Sequence, residues 1–265
     1  MVKSMHESAA PNKNTPADMQ RKAQQTVRAE AAPPPERRRR AAIFHIGIAV
    51  FLVAFGILTW LVRKTAYFSV DLSVTRAIQA WNNPLADAAW RIVSWAGNAP
   101  QAAVVPVLLV LLLVLLGMYW EALAATLTAI VVEVSNLLLK VVIHRPRPAS
   151  DLVHVTGMFK SYSFPSGHVM FYTGFYGFMF FLTYVLLKPS WKRTLLLILF
   201  GGAVTLVGAS RIYLGAHWAS DVLGAYLMGG MELLLFILVY RWGKPRFFLR
   251  QPVARETGRP GRADG

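Results

Sequence analysis

The chain has 265 residues, of which 55% are hydrophobic and only 15% charged, yet its formal net charge is +15. A soluble globule of one or two domains would struggle to hide so much apolar surface, and a disordered chain would not carry it. Nucleic-acid binders are basic but not usually this apolar, whereas a membrane protein with basic cytoplasmic segments is both. The sequence contains no cysteine, which removes disulfides, thiolate metal sites, iron–sulfur clusters and cysteine nucleophiles together.

Residues 1–41 are polar, rich in Ala, Gln and Pro, and end in Pro33-Pro34-Pro35 and the run Arg37-Arg38-Arg39-Arg40. Without apolar periodicity they are expected to form a disordered cytoplasmic tail, too long a polar lead for a secretory signal. The arginine run reads as a topology signal and anionic-lipid anchor, not a nucleic-acid site.

Spans of about 20 mostly apolar residues are needed to cross a bilayer. Six stretches qualify, at about 42–63, 100–118, 121–143, 167–187, 194–211 and 218–240. The link 64–99 is too polar to cross, and Ala86 to Ala96 within it predicts a short amphipathic helix at the interface. Trp60, Trp120, Trp191, Trp218 and Trp242 fall at span ends, where aromatic belts lie. The expected fold is therefore an all-α integral membrane bundle of six transmembrane helices over 42–240, followed by a basic tail, 241–265. Both tails and the link Lys188 to Arg193 are basic, so the positive-inside rule puts them in the cytoplasm. Residues 64–99, 144–166 and 212–217 then face outward, and the plasma (inner) membrane is the expected location.

Two of those outward segments hold the chain's unusual polar chemistry. Lys140 closes the third span, and His144-Arg145-Pro146-Arg147-Pro148 follows, the prolines stiffening the exit. Ser163-Phe164-Pro165-Ser166-Gly167-His168 opens the fourth span. With Pro165 at the first helical position, the amides of Ser166, Gly167 and His168 would form an anion cradle. Ser210-Arg211 closes the fifth span, and His217 and Asp221 follow at a spacing of four, which on a helix puts them on one face. There the carboxylate would hold one imidazole nitrogen as N–H and leave the other with a free lone pair. Each cluster alone could be a basic flank, a helix cap or a satisfied histidine. Together they set Lys140, Arg147 and Arg211 at one membrane face, where polar groups are costly and functional. Three convergent cations suit a tetrahedral phosphate and would repel a divalent metal, so no metal or cofactor is expected.

The three clusters resemble the signature of the type-2 phosphatidic acid phosphatase superfamily, shared with vanadium haloperoxidases: Lys-x6-Arg-Pro, Pro-Ser-Gly-His and Ser-Arg-x5-His-x3-Asp. Here these run from Lys140 to Arg147-Pro148, from Pro165 to His168, and from Ser210-Arg211 to His217 and Asp221. The resemblance implies a phosphatase in which His217 attacks phosphorus to form a phosphohistidine and Asp221 orients its ring. His168 would protonate the leaving oxygen and later activate water. Lys140, Arg147, Arg211, Ser166 and Gly167 would bind the non-bridging oxygens. The implied substrate is a lipid phosphate or isoprenyl diphosphate reached from the outer leaflet, with membrane lipids as the other partners and no nucleic acid. Phosphotransfer to another acceptor, haloperoxidase chemistry and a non-enzymatic scaffold are the alternatives. Glu133, Asn136 and Lys140 share a face of the third span and are expected to glue the bundle, as is Glu232 in the sixth. His45 and His154 are expected to have no chemical role.

Overall fold

The structure, a computed structural model, describes residues 34–81, 83–157 and 161–244, and is all-helical within them. The helices are α1 (Pro34–Val62), α2 (Ser69–Gln79), α3 (Pro84–Trp95), α4 (Gln101–Leu115), α5 (Tyr119–Ile143), α6 (Gly167–Leu186), α7 (Trp191–Tyr213) and α8 (Ala219–Gly243). Five of them (α1 from Ala42, α5, α6, α7 and α8) are long and apolar enough to cross a membrane. The expected second span is shorter. α4 has 15 residues, about 22 Å at 1.5 Å per residue against a hydrocarbon core of about 30 Å.

Two boundaries differ from expectation. The first helix begins at Pro34, so the arginine run lies in its opening turns and not in a disordered tail. Arginine is a good helix former, proline is tolerated in a first turn, and a nucleated helix extends at one hydrogen bond per residue. The remaining tail residues, 1–33 and 245–265, lie outside the described residues. The link 64–99 carries two helices where one was expected. α3 is the anticipated one, opened by Asn83, whose side chain accepts from the Ala86 amide at 2.9 Å, with Pro84 at the first position. α2 was not anticipated, and it buries Asp71 and Thr75.

Burial sorts the helices into a centre and a rim. α6 is mostly buried, whereas α1 from Ala42 buries few of its side chains and exposes many, including Ile46 at 62% and Val53 at 61% exposure. Exposed apolar side chains continue along α4, α5 and α7. An apolar belt of that extent has only one compatible solvent, the hydrocarbon of a membrane. α6 packs against α5, α7 and α8, and α8 runs along α1. Within α6 the turn Tyr172–Tyr176 is a π-helical bulge, a local irregularity often found near functional positions.

α2 fastens the loops at one end of the bundle. Its Gln79 amide donates to the carbonyls of His154 (2.6 Å) and Tyr213 (2.9 Å), and its carbonyl oxygen accepts from the His154 amide. Arg76 donates to the Leu152 carbonyl at 3.2 Å. The loop after α5 is thereby tied to the turn after α7. Within that turn the Arg211 carbonyl accepts from the amides of both Ala216 and His217, which fixes His217 directly beside Arg211.

Gly215 makes the turn possible. Its φ is +63°, and a Cβ there would lie 2.1 Å from the His154 carbonyl oxygen. Gly202 in α7 has open space where a Cβ would go. Gly215→Ala should therefore lower stability by at least about 2 kcal/mol, while Gly202→Ala should be neutral or stabilising by up to about 1 kcal/mol. Thermal midpoints of the two variants in detergent check this; equal midpoints would contradict it.

Candidate active site

The third cluster is built on a helix cap. His217 precedes α8, Trp218 is the N-cap, and the Asp221 carboxylate reaches back to the Trp218 amide at 2.8 Å. His217 and Asp221 therefore do not share a helix face, as their spacing suggested; the capping turn brings them together. The Nδ1–Oδ2 separation is 3.7 Å, too long for a hydrogen bond. The Ser163 hydroxyl fills the gap, donating to Asp221 Oδ2 at 2.5 Å and lying 3.5 Å from His217 Nδ1. On the other side, Arg147 Nη1 is 3.3 Å from His217 Nε2. A guanidinium only donates, so Nε2 holds the lone pair and Nδ1 carries the proton.

The first cluster reaches the site through two arginines. His144 ends α5 in the left-handed region at φ +55°, turning the chain so that Arg145 and Arg147 point to different partners. Arg147 donates from Nε to the Ser161 carbonyl (2.6 Å) and from Nη1 to the Ala216 carbonyl (2.6 Å). Burial pushes its pKa down to about 10, against the opposing pull of Asp221. Arg145 turns inward and donates to Asp221 Oδ1 at 2.6 Å and Asp71 Oδ2 at 2.9 Å, its side chain fully enclosed. Lys140, still in α5, donates to the Tyr162 carbonyl at 2.9 Å.

The second cluster differs in register from the sequence expectation. Ser166 is the N-cap and Pro165 lies ahead of it, so Gly167 is the first helical residue. The Ser166 amide is taken by the Asp221 carbonyl at 3.3 Å, which leaves the amides of Gly167 and His168, without intrahelical acceptors, as the cradle. The Ser166 hydroxyl is buried and has no partner among the described residues; Gly167 next to it lines the cavity, and Ser166 itself does not. His168 Nε2 lies 3.0 Å from Asn98 Oδ1, and a Cβ on Gly97 would collide with its ring at 2.4 Å.

Lys140, Arg147, Gly167, His168, Arg211 and His217 all line one cavity of about 610 Å³. Asp221 lies behind its wall. Ala102, Ala103, Glu133 and Phe171 belong both to this cavity and to an apolar groove of about 670 Å³ between α4 and α5. Burial and then Arg147, Lys140 and Arg211 hold the His217 pKa well below the usual imidazole value, so the ring is neutral at pH 7. A site that concentrates positive charge around a neutral imidazole is suited to nucleophilic attack on a bound polyanion.

Five contributors escaped the sequence reading. Arg145 and Ser163 sat inside the motifs but were passed over for their neighbours. Asn98, Asp71 and Ser94 come from the link; Ser94 accepts from Arg211 Nη1 at 3.2 Å. Only a polar residue count in 64–99, set against its outward placement, could have flagged them.

Residues 118–246 match the PAP2 superfamily model. The chain is 39% identical over 122 residues to phosphatidylglycerophosphatase B of Bacillus subtilis, covering 45% of this chain and 57% of that protein. It is 34% identical over 83 residues to an undecaprenyl-diphosphatase of Sulfolobus acidocaldarius, covering 31% and 35%. The chain thus spans less than two thirds of either curated relative. Among solved structures it resembles the crystal structure of a transmembrane PAP2-type phosphatidylglycerolphosphate phosphatase from Bacillus subtilis, with a TM-score of 0.65 and 27% identity over 77% of this chain and 98% of that one. The three motifs, the helical bundle that presents them and these relatives agree: residues 118–246 of this membrane protein belong to the PAP2 superfamily.

Proposed function

We propose that the protein is a metal-independent lipid-phosphate phosphatase acting through a phosphohistidine on His217. The observation that carries this reading is the orientation of His217: its Nε2 lone pair meets Arg147 at the wall of a cation-lined cavity, and its Nδ1 faces Ser163 and Asp221. An incoming phosphate displaces Arg147 from Nε2 and takes up the charge of Lys140, Arg147 and Arg211, with the Ser166 hydroxyl and the Gly167 amide completing the cradle. Nε2 attacks phosphorus as the bond to the lipid oxygen breaks, and His168 donates the proton that oxygen needs. The phosphoimidazolium keeps its Nδ1 proton on the Ser163–Asp221 side. His168, now neutral, takes a proton from water, whose oxygen attacks phosphorus; the P–N bond breaks, phosphate leaves and both rings return to their starting state. Charge on the transferring group is offset throughout by fixed cations, the part that magnesium plays in other phosphoryl transfers.

The apolar groove beside the cavity supports a substrate with a hydrocarbon tail, and the names of the relatives support phosphatidylglycerol phosphate and isoprenyl diphosphates beside phosphatidate as candidates. In the proposed topology six helices cross, both termini are cytoplasmic and the site faces outward from the plasma membrane. The course of α4 supports the sixth crossing: Ala102 and Ala103 line the site with Lys140, so α4 leaves from the site end and α5 returns to it.

Phosphate release from a panel of lipid phosphates in detergent tests the reaction. Turnover should persist in EDTA, be inhibited by vanadate, which mimics five-coordinate phosphorus, and fall at least about a thousandfold in folded His217→Ala. Loss of activity on chelation, regained with magnesium, would contradict the metal independence; wild-type turnover by His217→Ala would remove the nucleophile.

Topology is open to impermeant thiol labelling in intact cells, since the chain has no native cysteine. A cysteine at Ala149 should label and one at Lys192 should not; the reverse pattern would put the site on the cytoplasmic side.

The pH profile follows from His217. Because its pKa lies below 6.5 in the free enzyme, kcat/KM should rise through an acidic limb below that pH as the ring becomes neutral. Bound phosphate offsets the surrounding cations, so the same limb in kcat should lie higher. In the complex, where bound phosphate offsets the cations around His168, the alkaline limb of kcat reports its protonated form and should vanish in His168→Ala on a substrate with a good leaving group, while turnover of natural lipid collapses. Equal losses on both substrates would make His168 a phosphate ligand and not the acid.

A further inference from the structure

Asp221 is the residue behind the proposed nucleophile, yet it is also the end of a longer buried chain of charge. Arg145 Nη1 holds its Oδ1 at 2.6 Å, and Arg145 Nη2 donates to Asp71 Oδ2 at 2.9 Å. Asp71 lies on α2, the helix that the sequence did not foretell. All three side chains are fully enclosed. Most of the remaining lone pairs and donors are taken up as well. Asp71 accepts from the Phe68 amide (3.0 Å), the Ser220 amide (2.8 Å) and the Ser220 hydroxyl (2.7 Å), and Arg145 Nε donates to the Ala66 carbonyl at 3.1 Å. The Arg145 carbonyl in turn accepts from the Ser163 amide at 2.8 Å, so the same residue fixes the serine that stands between Asp221 and His217.

The charges of this triad do not cancel. An Arg145–Asp221 pair by itself would be neutral and would leave His217 nothing to lean on. Asp71 returns the cluster to a net charge of −1, directed at His217 through Asp221 Oδ2 and Ser163. Every other charged or titratable group facing that ring works against positive charge on it or lies away from it: Arg147 in the loop, Lys140 on α5, Arg211 on α7 and His168 on α6, with Glu133 at the apolar edge of the cavity. The ring must nevertheless carry positive charge as the phosphohistidine forms.

We propose that Asp71 and Arg145 are positioning residues for the phosphoryl-transfer step: Arg145 holds the Asp221 carboxylate beside Ser163 and His217, and Asp71 offsets Arg145 so that one negative charge remains to support the imidazolium. This rests on the reading of His217 as nucleophile, but its physical content, the basicity of the His217 ring, can be measured without turnover.

The two residues make opposite predictions, which a merely structural role would not. Asp71→Asn preserves shape and its acceptor oxygen but leaves the cluster neutral, so His217 becomes less basic. Arg145→Gln leaves two carboxylates and makes His217 more basic, whereas Arg145→Lys keeps the charge and should restore the wild-type value. The experiment is a titration of His217 in detergent by NMR on histidine-labelled protein, with His217→Ala assigning the resonance, alongside the acidic limb of kcat/KM. A downward shift of about one pH unit is expected for Asp71→Asn, and an upward shift of at least about that size for the nearer Arg145→Gln, as a unit charge roughly 10 Å away exerts at an effective dielectric near 20. The turnover of Asp71→Asn should fall about tenfold. If Arg145→Gln does not fold, the Asp71→Asn and Arg145→Lys titrations decide. An unshifted or upward-shifted His217 in Asp71→Asn overturns the proposal. Shifted titrations in a protein whose His217→Ala variant still turns over would instead uphold the charge relay and sink the nucleophile assignment.

Discussion

The Asp221 carboxylate is the point on which the site end of the bundle converges. Fully buried, it accepts from Arg145 on the loop after α5, from Ser163 on the approach to α6, and from the Trp218 amide at the head of α8. Those three segments carry the three sequence motifs, so one carboxylate draws all of them together. Burying an anion is tolerable only when its lone pairs are taken up by good donors, and removing one partner leaves an uncompensated charge. The geometry around Asp221 is in that sense self-enforcing. Any displacement of a motif exposes the carboxylate to an unsatisfied state.

Opposite that anion stands a group of cations. Lys140, Arg147 and Arg211 line a single cavity at one end of the bundle, and carbonyls and hydroxyls (Tyr162, Ser161, Ala216, Ser94) orient them. Desolvated like charges repel, and the fold bears that cost because each is anchored on a different element: α5, the loop and α7. A polyanion would relieve the repulsion on arrival, so that in the proposed function the stability of the site and its affinity for phosphate are two aspects of one electrostatic arrangement. The neutral state of His217 follows from its burial and from the same field.

The apolar surroundings bear on the same chemistry. The rim of α1, α4, α5 and α7 is covered in exposed aliphatic side chains, and the groove between α4 and α5 shares lining residues with the cation-lined cavity. In the proposed function, placing charge stabilisation beside hydrocarbon lets a headgroup and a tail be held at once. It also keeps the local dielectric low, where fixed charges act most strongly.

Much of this was legible in the residues themselves. Unbroken apolar runs foretold six spans, and five of them are helices long enough to cross, because a chain in hydrocarbon must satisfy its backbone within each helix. The three motifs named six residues that do line one cavity, since the chemistry of phosphate demands those side-chain types. Tertiary structure decided the rest, because each remaining feature depends on segments far apart in the chain. Spacing suggested that His217 and Asp221 share a helix face; the cap at Trp218 put them on either side of a helix start, with Ser163 between. Composition marked 64–99 only as too polar to cross, yet its Asp71 sits beneath Asp221 and its Asn98 against His168. Residue type can announce that a charge or a nucleophile is present, but which partner meets it, and at what distance, is fixed only when the helices pack.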